Sequence, residues 1–518
     1  MLNFRVLAES SERMPAMKAL VPFVLGIVAA DYWTLPLWFV VVAAIAAGVL
    51  AALFRSAWAL VAMLVAVGFG QAEFRRYACT VPREVPTEFD LRIEGIPSAR
   101  GRYVSVEAVV AAWRDPASGE WFAADDRLML YADTLVGLVH GERICCRGCI
   151  RDFRGGAESY RRLMRRRGFV GTMWVGLRDV SLRRSGDNSF IFMHLFSPRH
   201  SPPAASALGL SKTFHSAAVE RLARLELSDN AAALVRAMAA GDRSRIASDL
   251  RVRYSRAGFS HLLAVSGLHT GIVFWLIYLL LGWLMLLRRG HLVYYVCSAA
   301  AVWLFVAAAG FPPSAVRAAI MFTLVQGALF AGRELAALNS LAIAAFVMLF
   351  WQPAWLGDIS FQLSFLAVGF LLAWGVPLQR RLRTHRRAVD AVIGSWVVGL
   401  VAGTATAPLV AHTFGIVPLA GIAAGPLVVL PAAVIVLCGT VWMLLPVPFL
   451  APVVGGCIEI AAWALDALAR VVAEMPGGCV EWHPSGGLTL GIYLSLLAAT
   501  LFVRTLEPRE RKNGELRR

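Results

Sequence analysis

The chain has 518 residues, 58% apolar and 16% charged, and its 50 Lys and Arg against 34 Asp and Glu give a formal net charge of +16. So apolar a composition excludes an ordinary soluble enzyme or a disordered tail and points to lipid as the main solvent. The basic excess is carried almost wholly by arginine, the only lysines being Lys18, Lys212 and Lys512, a bias that fits a GC-rich genome.

A spanning helix needs roughly 20 mostly apolar residues to cross the hydrocarbon with its backbone bonded internally. Such stretches occur at 16–33, 35–54, 57–72, 261–287, 291–309, 314–332, 336–352, 359–377, 389–411, 417–445, 449–474 and 488–503, which predicts about twelve transmembrane helices. At 417–445, Pro418, Pro426 and Pro431 leave open one long helix or a re-entrant pair, because proline removes a ladder bond. The first apolar run lacks a small-residue cleavage site and a second follows at once, so no cleavable signal is expected.

Charge sets the orientation, since short cytoplasmic loops retain Lys and Arg. With the N-terminus inside, the inner loops hold Arg5, Arg13, Lys18, Arg55, Arg288, Arg289 and Arg333, then the run Arg380–Arg387 and the basic tail 504–518. The outer short loops around Asp31, Phe311, Asp358, His412 and Glu481 contain no Lys or Arg.

The polar segment 73–200 falls outside under this topology. Alternating or β-branched runs at 89–96, 102–113, 126–131, 142–150 and 168–177 predict five short strands and a small barrel. Residues 147–184 carry eleven arginines, among them Arg161, Arg162, Arg165, Arg166 and Arg167. Guanidinium groups at this density suit a phosphate-rich ligand, although a solvated basic face or one resting on anionic headgroups has the same composition. Cys79, Cys145, Cys146 and Cys149 also fall here, where a disulfide could persist, and Cys-Cys-x-x-Cys without a second half gives no metal site. Between barrel and membrane, 201–260 reads as a helical connector in which Phe214, Ala218, Leu222 and Leu225 share one face, as in an interfacial helix.

The informative motifs follow. GDRSRIASDLRVRYSRAGFSHLLAVSGLHTGIV (241–273), GFPPSAVRAAIM (310–321) and WLGDISFQLSFLAVGFLL (355–372) resemble, in order and spacing, the signatures of the ComEC-type competence family. GGAESYRRLMRRRGFVGTMWV (155–175) resembles the element that closes the family's external domain, with Glu158-Ser159 departing from Phe-Asp. The resemblance implies a polytopic α-helical membrane protein with an inserted small OB-like β-barrel. Its segments would be three N-terminal helices (1–72), an external β domain (73–200), the connector (201–260), a channel domain (261–503) and a cytoplasmic tail (504–518).

It further implies a bacterial inner-membrane channel that imports single-stranded DNA during natural transformation. Its expected partners are single-stranded DNA, membrane lipids, a cytosolic helicase-like ATPase, single-strand-binding proteins, an external DNA receptor and a second copy of the chain. Many members end in a metallo-β-lactamase-like domain with an H-x-H-x-D-H cluster. This sequence stops at 518 without that spacing, so no nuclease activity is expected in this polypeptide. AAGPLVVLP (423–431) lacks the Asn of the family's ANLL-x-x-P element.

Ionisable groups at membrane depth mark a path or a pairing. His261, His269, Arg317 and Asp358 lie toward the outer half of their spans, with Ser266, Gln362 and Ser364 as neutral hydrogen-bonding neighbours. They could line one entrance and let a polyanion pass by weak multi-site contacts, or Arg317 could pair with Asp358 or helix carbonyls and fix packing. Ser266 and His269 at i, i+3 invite a hydrolase reading, but no third group or oxyanion hole accompanies them, so no enzyme is expected. Without a Gly-Lys dipeptide there is no P-loop, so a separate motor must supply energy, and no cofactor is expected. A transporter of another anionic solute, or a membrane subunit without transport of its own, remains open. GLVAG (399–403) and GIAAG (421–425) predict close helix packing.

Overall fold

The computed structural model describes residues 15–506 apart from 76–80, 94–97, 154–163, 165–168, 185–213 and shorter gaps of one to three residues. The chain divides into two compact units. One comprises Pro22–Ala205 and Leu349–Asp358, the other Met1–Val21, Ser206–Met348 and Ile359–Arg518.

Apolar helices α1 (Pro15–Ala29), α2 (Leu37–Phe54) and α3 (Ala57–Arg75) occupy the first three expected spans. The β domain follows with β1 (Thr87–Ile93), β2 (Ser98–Arg100), β3 (Tyr103–Arg114), β4 (Trp121–Asp133), β5 (Arg143–Gly148), β6 (Phe169–Val175) and β7 (Val180–Arg184). All five expected strands are present, with β2 and β7 in addition. They form one sheet ordered β6-β4-β3-β1-β5-β7, with β2 on β3, in which only β4 and β6 run parallel. Strand alternation sends Phe89, Leu91, Ile93, Val106, Leu128, Leu130, Ile144 and Met173 into one core.

Among the described residues no ladder closes this sheet into the expected barrel. Just past β5, Arg151 meets Thr172 of β6 through one bridge, their amides and carbonyls exchanging two bonds of 2.8 Å. Among the described residues Cys145, Cys146 and Cys149 form no disulfide with one another, and Cys79, their possible partner, lies outside the described residues. Alternation along β5 puts Cys146 in the core at 0% exposure, and burial pushes its thiol up, away from the reactive thiolate. In native protein, maleimide should therefore modify a Cys146→Ala variant at Cys145 and leave Cys146 untouched in a Cys145→Ser variant. Peptide mass mapping checks this, and equal labelling would contradict the strand register.

In the second unit, α4 (Asp229–Val235) runs into a wide turn, Arg236–Ala240, and is followed by α5 (Ser248–Arg256). Ala231, Ala233, Leu234, Val235, Ala237, Met238, Ala239 and Ala240 are each at most 3% exposed. An apolar stretch of this kind is stable only when protein covers it, and from Ala231 on it is covered. The connector helix before it packs one face against protein. Ala218, Leu222 and Leu225 are buried, Phe214 is 41% exposed, the Trp442 indole donates to the Arg221 carbonyl and the Arg221 guanidinium donates to that of Met443.

The membrane helices are α6 (Gly267–Leu281, continuing to Leu286), α7 (Gly290–Ala308), α8 (Pro313–Phe330), α9 (Ala337–Trp351) and α10 (Ile359–Phe370, continuing to Arg381). After them come α11 (Arg387–Phe414), α12 (Leu419–Leu444), α13 (Ala451–Glu474) and α14 (Gly486–Leu506). Among the described residues seven helices are long and apolar enough to cross a membrane, and the other five expected spans also coincide with apolar helices. The chain is thus a multi-pass membrane protein. One boundary differs from expectation. The fourth span starts at Gly267 rather than 261, because Ser260–Leu263 is a tight 3-10 turn and Ala264 is extended. At 417–445, where two arrangements were open, Leu419–Leu444 is one helix with Pro426 and Pro431 inside it.

Candidate functional site

The site is built where the three motif segments converge. The chain leaves α5 through Gly258, whose φ of +77° belongs to the left-handed region that glycine tolerates, and whose α-carbon lies against Pro418 and Gly421. That turn carries Phe259, Leu262, Leu263 and Val265 inward, each at most 5% exposed. Irregular backbone at this depth is tolerated because protein covers it.

Ser266 then starts α6, and its amide donates to His269 Nδ1 at 3.1 Å, so the histidine caps its own helix. His269 is 0% exposed and its Nε2 has no partner among the described residues. Ser314, at the start of α8, donates its hydroxyl to the Val265 carbonyl at 2.5 Å. One turn on, the Arg317 guanidinium donates through Nη1 to the Ser364 carbonyl of α10 at 2.5 Å and lies 5.9 Å from the Phe365 ring centre. Its Nη2 would lie 2.7 Å from a β-carbon on Gly267, so the guanidinium sits against the first residue of α6.

Of the two partners expected for Arg317, the helix carbonyl is the one found. The side chain is 6% exposed, its Nε has no partner, and no ion pair is found for it among the described residues. A buried cation at the N-terminal end of a helix, where the backbone dipole is also positive, favours an anion that approaches both. Gln362 and Ser364 are half-buried on α10. His261 stands apart: it is exposed and its Nδ1 donates to the Gly258 carbonyl at 3.0 Å. Asp358 belongs to the other compact unit, where it ends the turn Pro353–Gly357, and its amide donates to the Trp355 carbonyl. Arg161, Arg162, Arg165, Arg166 and Arg167 lie outside the described residues.

Three motifs far apart in sequence thus share one locus. The family model of competence proteins matches residues 238–507, more than half of the chain. The chain belongs to the competence protein family. The matched region of this competence protein begins in the buried turn after α4 and takes in all three motifs. Over 189 residues the chain is 28% identical to ComE operon protein 3 of Bacillus subtilis (strain 168), an alignment covering 36% of this chain and 23% of that protein. The match therefore spans less than a quarter of that relative's length. No solved structure matches.

One charged feature escaped sequence reasoning. Asp466 on α13, 7% exposed, accepts from Arg253 of α5 at 2.6 Å and from Arg470 at 3.0 Å. Arg253 and Asp466 are 213 residues apart, so no local signal links them, whereas Arg470 one turn away was visible. Removing one member of such a buried pair costs about 3–5 kcal/mol, while an exposed partner contributes under about 1 kcal/mol. Asp466→Ala should therefore lower the melting temperature sharply and Arg470→Ala barely, as read by thermal unfolding in detergent.

Proposed function

We propose that this competence protein conducts single-stranded DNA from the outer face of the cytoplasmic membrane to the cytoplasm during natural transformation. The observation that carries the reading is Arg317, a buried guanidinium with no carboxylate partner among the described residues, placed at the start of α6 where the three motifs meet. Such a group attracts a phosphodiester, and a single guanidinium among neutral hydroxyl, amide and carbonyl neighbours holds it weakly enough for passage.

In this reading all twelve apolar helices span, both termini are cytoplasmic and the β domain faces outward. The β domain is read as OB-like: the pairings β1–β3, β3–β4, parallel β4–β6 and antiparallel β1–β5, with the Arg151–Thr172 bridge, follow the five-stranded Greek-key order of that partly open barrel. Passage is not enzymatic, in keeping with His269 Nδ1 being held by the Ser266 amide rather than by a hydroxyl. A cytosolic helicase-like ATPase and single-strand-binding proteins pull the strand, and a receptor delivers it.

The test is transformation of the source cells with marked linear DNA. A clean deletion should lose transformants while still capturing DNA at the surface, and the intact gene should restore them. Unchanged transformation would overturn the reading and bring forward transport of another anionic solute.

A further inference from the structure

The outward face of the β domain carries an aromatic cluster. Tyr103 on β3, Tyr131 on β4 and Trp174 on β6 come from three adjacent strands. Tyr131 and Trp174 stack at 5.1 Å and 16° between planes, and Tyr103 meets them edge-on at 5.8 and 5.3 Å. The larger apolar core lies on the opposite side of these strands, and Trp174 is 56% exposed. An indole in water beside two phenols contributes little to folding, yet offers flat π-faces at the spacing of a stack.

Resting on the DNA-import reading, we propose that Tyr103, Tyr131 and Trp174 form the platform on which bases of the incoming single strand stack. Two neighbouring features decide between bases and phosphates as the group received. Glu107 and Asp133 occupy the same outward face of the sheet, opposite Met129 and Tyr103. Carboxylates there repel phosphates but accept hydrogen bonds from base amino groups, so bases rather than backbone meet the rings.

The positive charge lies to one side. Met164, set within the run of five arginines from 161 to 167, is buried with Phe153 and Phe169 against Met129. Met129 is two residues from Tyr131 on the same face of β4. Exposed Arg151 stands opposite Thr172, two residues from Trp174. Rings for bases beside guanidinium groups for phosphates is the composition of a single-strand site, and duplex DNA, whose π-faces are already stacked, cannot use the rings.

Binding by the full-length protein in phosphatidylethanolamine–phosphatidylglycerol nanodiscs tests this, with fluorescein-labelled oligothymidylate, an abasic strand of equal length and a duplex as probes. Trp174→Ala should weaken oligothymidylate binding about tenfold, leave the abasic strand unchanged and keep the same salt dependence, because no phosphate contact is lost. Trp174→Phe should restore most of the affinity. Since Trp174 is largely exposed, the variants should melt as the wild type does. Equal binding of oligothymidylate and abasic strand by the wild type, or an unaltered Trp174→Ala variant, would overturn the platform while leaving DNA import standing. Failure of the wild type to bind any strand would overturn both.

Discussion

Arg317→Met should remove most transformation while leaving the folded protein as stable as the wild type, or more so. The two effects separate because the buried guanidinium is half-satisfied: it has one carbonyl and one ring, an orphaned Nε and no ion pair among the described residues. Replacing a buried charge by an apolar chain of similar volume is often neutral or stabilising. On the functional side, a charge-assisted contact of about 1.5–3 kcal/mol corresponds to roughly a 10- to 100-fold loss of passage. Arg317→Lys keeps the charge without the planar fork and should fall between. Transformant counts at matched protein levels and melting in detergent read the two arms. A variant that loses stability along with transformation would make Arg317 a packing brace.

Gly421→Ala should be strongly destabilising to the helical unit. A β-carbon there would sit 2.2 Å from the Ala257 carbonyl oxygen and 3.0 Å from the Gly258 α-carbon, and backbone atoms cannot turn aside. Separating α12 from the motif turn costs about 1–3 kcal/mol or more, by the measure of other overpacked cores. Gly425, one turn along the same helix, has nothing within 4 Å of its added carbon. Gly425→Ala should therefore be neutral or stabilise by up to about 1 kcal/mol through helix propensity. Thermal melting of the two variants side by side checks the contrast, and equal melting temperatures would contradict the close approach.

The same pair shows where the sequence was legible. GLVAG and GIAAG marked close helix packing, and Gly403 and Gly421 do face tight contacts, at Ile422 and Ala257. That Gly425 does not depends on the rotation of α12, which no local pattern encodes. Span positions were readable because each apolar run is a local property of its own residues. The start of α6 was not, since Leu262, Leu263 and Val265 are as apolar in a buried turn as in a helix.

The twelve residues of Asp229–Ala240 fell below spanning length and were assigned to a connector, although the apolar residues that follow Asn230, broken only by Arg236, were a sign of burial. Period-two alternation in Arg143–Gly148 already separated Cys145 from Cys146, and would have argued against a disulfide at the latter. The aromatic cluster escaped because Tyr103, Tyr131 and Trp174 meet only through the register of three strands.

Passage of the strand through the convergence of the three motifs is tested most directly by photo-cross-linking in the source cells. Donor DNA substituted with bromodeoxyuridine is irradiated during uptake, and the cross-linked peptides are mapped. Adducts in 259–273, 310–321 and 355–372, besides those in the β domain, are the predicted result. Adducts confined to the β domain, with labelled strand still reaching the cytoplasm, would contradict conduction through this helical domain.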